Sequence, residues 1–576
     1  MVTNKISKFL PLQLNLNSTK LSIPFQIIII SSYTQKKMKN KIILKVKVIL
    51  AIFIFYNCSL SDKNLKPLID EYKLKSYVEN FNNEDEELYS NISNKDALNF
   101  LHKNIPLFEC PDIDIERTYY FRWWTYRKHI KYTEDGYVIT EFLPDVPWSG
   151  KHNTISCPAA HHYYEGRWLH NTKFLDDYSY FWLRRGGEPR LYSFWIADAF
   201  YNRYLVTLDD KPLLDLLPDL IENYKMWEKG WDWNGYHIGG RKNGLFYTID
   251  DRDGGEFSVG GHGFRPTLNS FMYGDAMAIS KISKLAGKKE LDKEYRSKAL
   301  KIKNLVQNKL WDSESQFFKV LPEEGSELSD ARELYGYTPW YFNMPNPGYE
   351  EAWKHLIDRE GFYSPYGPTF LEQRHPKFKI SYEGHECQWN GPSWPLATCS
   401  VLTSLANVLN NYNQNVIGKE EYFTTLQSYT NSHKLEREDG KIVPWIDENL
   451  NPFNGDWISR TRLKSWEKGT WSSEKGGRER GKDYNHSTYN DLIITGLMGL
   501  RPRSDDLVEI NPLIPLEKWD YFCLDNVLYH SKILTVVWDK TGKKYNRGKG
   551  FMVYVDNKLR IHNDNIKKIS FNLKNE

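Results

Sequence analysis

Cysteine is scarce: the chain has six in 576 residues. Apart from Cys58 near the amino terminus, Cys110, Cys157, Cys387, Cys399 and Cys523 are widely spaced and odd in number, without a Cys-x-x-Cys pair or metal-ligand spacing. That argues against a disulfide framework and leaves free buried thiols as the expectation. A long basic stretch is also missing. With 77 Lys and Arg against 74 Asp and Glu, the net charge is +3, which excludes a phosphate-tracking surface and nucleic acid as a partner. The adjacent His385-Glu386 lacks the His-Glu-x-x-His spacing of a zinc protease, so no metal and no cofactor is expected. No sequence repeat stands out.

The amino terminus reads as an address. Lys39, Lys41, Lys45 and Lys47 precede an apolar run from Val48 to Tyr56 that is too short to span a bilayer and fits a secretory signal. Met38 opens this pattern, so residues 1–37 read as an upstream extension and 38–58 as the signal. Cys58, at the end of the apolar run, resembles the lipidated cysteine of bacterial lipoproteins. Export to the periplasm or outer membrane follows as an expectation, with a lipid anchor as the sole membrane contact.

What the chain has in abundance is aromatic: 15% of residues, with 20 Trp and 38 Tyr. Much of this belongs in a large core, but amphipathic rings also stack on pyranose faces. Residues 59–115 read as a polar tether and helical lead-in. Helical periodicity dominates from 116 to 502, over Leu191–Leu208, Pro212–Lys229, Pro266–Ala286, Leu291–Leu310, Tyr349–Asp358, Pro395–Asn411, Glu420–His433 and Thr488–Leu500. Loops of alternating short and long length join these segments, as in a toroid of helical hairpins whose long loops gather at one face. From 503 to 576 short β-rich runs (Leu507–Ile510, Leu534–Trp538, Gly550–Val555, Leu559–Ile561) predict a small antiparallel domain.

Two loops carry carboxylates. The first is Asp250-Asp251-Arg252-Asp253-Gly254-Gly255-Glu256-Phe257-Ser258, where two glycines allow close backbone approach and crowded acids raise at least one pKa, as a general acid needs. The second is Asp447-Glu448-Asn449-Leu450-Asn451-Pro452-Phe453-Asn454-Gly455. Glycoside hydrolysis needs two carboxyl groups on opposite faces of a sugar, and those must come from separate loops. Glu256 or Asp253 as acid and Glu448 as base is the expected pair.

Gly254-Gly255-Glu256-Phe257-Ser258 resembles the Gly-Trp-Asp-x-Ser segment bearing the general acid in trehalases and related (α/α)6-toroid glycosidases, with Glu256 in the Asp position. The Glu448 segment resembles the Glu-x-Tyr-x-Pro-x-x-Gly stretch of processing α-glucosidase I, where the Glu is the general base. Gln388-Trp389-Asn390-Gly391-Pro392-Ser393-Trp394-Pro395 is similar to the substrate-lining stretch of the same clan. The resemblance implies a mainly α, (α/α)6 fold and an inverting hydrolysis of an oligosaccharide. It departs from the pattern in that Glu256 replaces Asp and Gly255 replaces Trp.

Further candidates for substrate contact are Arg122, Trp124, Arg127, His152, Trp168, Gln388, Trp389, Asn390, Trp394, Tyr484 and His486, a basic and aromatic set that also suits an anionic sugar. The same residue types keep a rival chemistry open. In β-elimination on a uronate, a Tyr or His removes the proton next to a carboxylate, and Tyr382, His385, His161 and His162 are the candidates. A non-catalytic glycan-binding surface lipoprotein is a second alternative.

Overall fold

The computed structural model describes residues 67–380, 387–437, 439–461 and 479–574. The expected extension, signal and Cys58 lie outside these residues, as do Tyr382 and His385. Among the described residues no helix is long and apolar enough to cross a membrane.

The chain is mainly α, a toroid of helical hairpins followed by a small antiparallel β domain. Helix Pro266–Leu285 shows why hairpins form. Proline opens it at a position where its missing N–H costs nothing, and nearly its whole length is buried. Gly274 lets it meet Phe342, whose ring would lie 2.3 Å from any added Cβ. It packs against Lys289–Lys309, which buries only Tyr295, Ala299, Ile302, Val306 and Gln307, at helical spacing, and turns its charges outward. Each fully buried aliphatic side chain on that stripe contributes roughly 1.5–3 kcal/mol. Ile196–Thr207 and Leu217–Lys229 flank the central helix, and Pro395–Asn411 packs on Lys419–Ser432.

Where apolar periodicity was strongest the expected helices agree with the structure to within a few residues. The last one does not. Thr488–Leu500 shrinks to a π-helical turn, Leu492–Leu497. The expected Tyr349–Asp358 helix is a 3-10 turn, Glu350–Trp353, continued by one helical turn to Ile357. Arg122 to His129 sits almost wholly inside helix Ile113–Lys128, which is buried on nearly every side.

In the β domain, Tyr521–Tyr529, Lys532–Asp539, Gly550–Val555 and Lys558–Asn563 form a meander. Leu107–Glu109, from the lead-in segment, adds an antiparallel edge strand against Tyr521–Tyr529. The described residues accordingly form one compact unit in which the lead-in segment and the C-terminal domain share a sheet.

Candidate active site

The loop bearing Glu256 leaves strand Phe246–Tyr247 and returns into helix Pro266–Leu285. Its neck is closed by paired backbone hydrogen bonds between Thr248 and Gly263. Asp250 staples the inside: it accepts from the Asp251 and Phe257 amides at 2.7 and 3.1 Å and lies 3.2 Å from the His262 ring. Arg265 holds the base, donating to Asp253 at 2.8 Å and to the Ser258 hydroxyl at 3.1 Å. Gly254 turns the chain at φ +62°, its carbonyl accepting from the Tyr335 hydroxyl at 2.6 Å.

A Cβ at Gly254 would lie 2.5 Å from the Cys157 sulfur. Gly254→Ala is therefore expected to destabilise the protein by about 1 kcal/mol or more. Adding Cys157→Ala should recover the steric part and leave the backbone strain, which a double-mutant cycle of thermal unfolding separates.

Glu256 ends on one wall of a cavity of about 930 Å³. The Trp389 indole N–H donates to its carboxyl at 2.8 Å. Crowding by protein, then the nearby charges of Asp251 and Asp250, push this carboxyl up to about 8 against the hydrogen bond from Trp389. Trp389 is itself stacked on Trp394, 3.8 Å between centroids and 7° between planes, and both rings face the cavity.

Glu448 reaches the same cavity from the loop after strand Ile442–Pro444. That loop is tied to the tryptophan segment by reciprocal 3.0 Å backbone bonds between Ser393 and Leu450. Asp447 accepts from the Glu448 amide at 2.8 Å, and Gly481 passes so close that a Cβ there would sit 1.8 Å from the Asp447 carboxylate. The Arg480 guanidinium pairs with the Glu448 carboxylate at 2.7 Å and stands over the ring of Trp148. Tyr484 and His486 complete that wall, with the His486 ring held neutral chiefly by burial.

Of the expected residues, then, the cavity gathers Glu256, Glu448, Trp389, Trp394, Tyr484 and His486. Others lie outside the cavity. Asp253 is buried behind the loop in its ion pair with Arg265 and accepts from the Thr267 hydroxyl. Arg122 bonds Tyr429 and Ser487, and Arg127 bonds Asn94 and the Ile92 carbonyl. The Trp124 and Trp168 indoles donate to Asn82 and Asp491. His152 pairs with Asp135 at 2.7 Å. Gln388 and Asn390 flank Trp389 in a segment without regular secondary structure and do not line the cavity with it. His161 and His162 are almost fully buried, each pushed down to about 3 by burial, and His162 is engaged by Tyr178 and the Asn485 carbonyl.

Sequence reasoning missed Glu141, which lines the cavity with its carboxyl accepting from the Tyr484 hydroxyl. Burial first, then the charges of Glu448 and Glu256, push it up to about 8. A charge inside the buried run Val138–Phe142 was the available signal.

A family model described as the mannosylglycerate hydrolase MGH1-like glycoside hydrolase domain matches residues 151–487, a span that includes both carboxylate loops. The chain belongs to that family. The resemblance of its motifs to toroid glycosidases holds at the level of the whole domain. The C-terminal domain of glycosyl hydrolase family 65 matches residues 500–559 of this MGH1-like protein, over most of its β meander.

A solved structure titled sialidase is 41% identical, with a TM-score of 0.80 over 88% of this chain and 45% of the other. The MGH1-like chain thus spans less than half the length of that relative. More distant are a GH63 mannosylglycerate hydrolase from Thermus thermophilus in complex with glucose (12% identity, 52% and 73% coverage, TM-score 0.36) and a Streptomyces avermitilis α-L-rhamnosidase complexed with L-rhamnose (12%, 79% and 38%, 0.47).

Proposed function

We propose that this protein is a glycoside hydrolase that removes a sugar from an oligosaccharide by inversion, with Glu256 as general acid and Glu448 as general base. The observation that carries the proposal is the contrast between the two carboxyls in one cavity. Glu256, lifted to about 8, holds a proton at neutral pH and can give it to the leaving oxygen. Glu448 is a carboxylate in an ion pair with Arg480 and can take a proton from water. The stacked tryptophans offer a flat apolar face for a sugar ring. Export, as the signal-like segment suggests, would give the enzyme access to polysaccharide fragments.

The substrate unit is uncharged in this proposal. Arg480 is engaged by Glu448, and Arg252 lies between the rings of Tyr192 and Trp233, 4.5 and 4.4 Å from their centroids, beside Asp251. Neither offers a carboxylate the open fork that an anionic sugar calls for. The burial of His161 and His162 likewise favours hydrolysis over elimination.

The test is to follow neutral oligosaccharides, a uronate oligosaccharide and a sialoside by proton NMR. The first-formed free sugar should come from a neutral substrate with its anomeric configuration inverted. A retained anomer, an unsaturated uronate, or release from the sialoside would each overturn the corresponding part of the proposal. On the substrate so found, kcat/KM should fall through an alkaline limb near pH 8 as Glu256 loses its proton. Trp389→Phe removes a hydrogen bond that favours the carboxylate and should move that limb to higher pH.

A further inference from the structure

The cavity contains a third glutamate that an acid and a base do not require. Glu141 follows strand Gly136–Ile139, and its main chain is clamped: the Asn485 amide donates to the Glu141 carbonyl at 3.1 Å, and the Asn485 side chain donates to the Thr140 carbonyl at 3.2 Å. One carboxyl oxygen accepts from the Tyr484 hydroxyl. Tyr484 is held in turn between Phe142 and His486, at centroid distances of 4.7 and 4.0 Å. Among the described residues the second carboxyl oxygen has no hydrogen-bond partner, and Glu141 lines the cavity.

A carboxyl with a fixed backbone, one oxygen anchored by protein and the other open to the cavity is placed to bond a ligand there. Three glutamates converging on one cavity also cannot all carry charge, and the guanidinium nearest them is taken by Glu448. Burial and the other two glutamates favour the neutral form of Glu141, which can give as well as accept a hydrogen bond.

We infer that Glu141 is a third substrate-contacting residue, whose Tyr484-anchored carboxyl turns its second oxygen to a hydroxyl of the sugar seated between Glu256 and Glu448. It is a binding group that selects a hydroxylated sugar and orients it, and it takes no part in the acid and base steps. The inference rests on the functional reading above for the identity of the ligand as a sugar.

Binding is measured by quenching of tryptophan fluorescence with D-glucose, D-mannose, D-galactose, D-xylose and L-arabinose, on the full chain with thermal unfolding as a control for fold. For the sugar bound best by the wild type, Glu141→Ala is expected to weaken binding about 10- to 100-fold, the loss of one buried hydrogen bond to a hydroxyl. Glu141→Gln, a neutral isostere with a donor and an acceptor, should recover most of that loss. Tyr484→Phe, which frees the carboxyl without removing it, should weaken binding severalfold. Wild-type binding by Glu141→Ala would overturn the inference, and so would a Glu141→Gln variant as weak as Glu141→Ala. If no sugar in the panel quenches the wild type, the sugar-site reading falls and this inference with it. If instead sugar binds but Glu448→Gln turns substrate over normally, the acid and base pair falls while the Glu141 contact is still judged by its own variants.

Discussion

Glu448→Gln is expected to lower kcat/KM by about 100- to 10,000-fold, the usual contribution of a positioned general base, with sugar binding nearly unchanged. The substitution keeps the shape of the side chain but removes the charge that Arg480 faces at 2.7 Å and the lone pair that would accept a proton from water. Glu256→Gln should show a loss of the same order for an unreactive leaving group and a smaller one for an aryl glycoside, whose departure needs little proton donation. The alkaline limb near pH 8 should disappear from what activity remains. Steady-state kinetics on both substrate types check this. Full turnover by Glu448→Gln would remove it from the mechanism.

The second large effect concerns stability. Arg265→Met is expected to destabilise the fold by about 3–5 kcal/mol, measured by denaturant unfolding, because it leaves Asp253 buried without its ion partner. The same change cuts the hydrogen bonds to Ser258 and Gly261 that hold the Glu256 loop, so activity should fall with the loop's order. Asp253→Asn should also destabilise, and its residual activity should keep the alkaline limb of the wild type. An Asp253→Asn protein as stable as wild type but inactive would return Asp253 to consideration as the acid. That outcome is not expected, because Asp253 is spent on Arg265 and Thr267 behind the loop.

The acidic loop was visible because glycines next to carboxylates have a local signature, but the choice between Asp253 and Glu256 depends on which side of a turn each faces. With Gly254 at φ +62° the chain reverses between them, sending one to Arg265 and the other to the cavity. Glu141 lies just past strand Gly136–Ile139 without any motif of its own, and its importance comes from Tyr484, more than three hundred residues away along the chain. The basic and aromatic run Arg122 to His129 looked like a ligand surface, but that part of its helix is buried, so those cations bond to buried carbonyls and side chains.

By itself the sequence determined the strongly periodic helices and the strands of the C-terminal domain, because apolar spacing follows local backbone geometry, and it determined which loops carry acid groups. Tertiary structure alone decided which acids share a cavity, which arginines are already paired, and which carboxyls burial pushes upward. Those properties depend on burial and on charges brought close by folding, and neither is written in the spacing of residues along the chain.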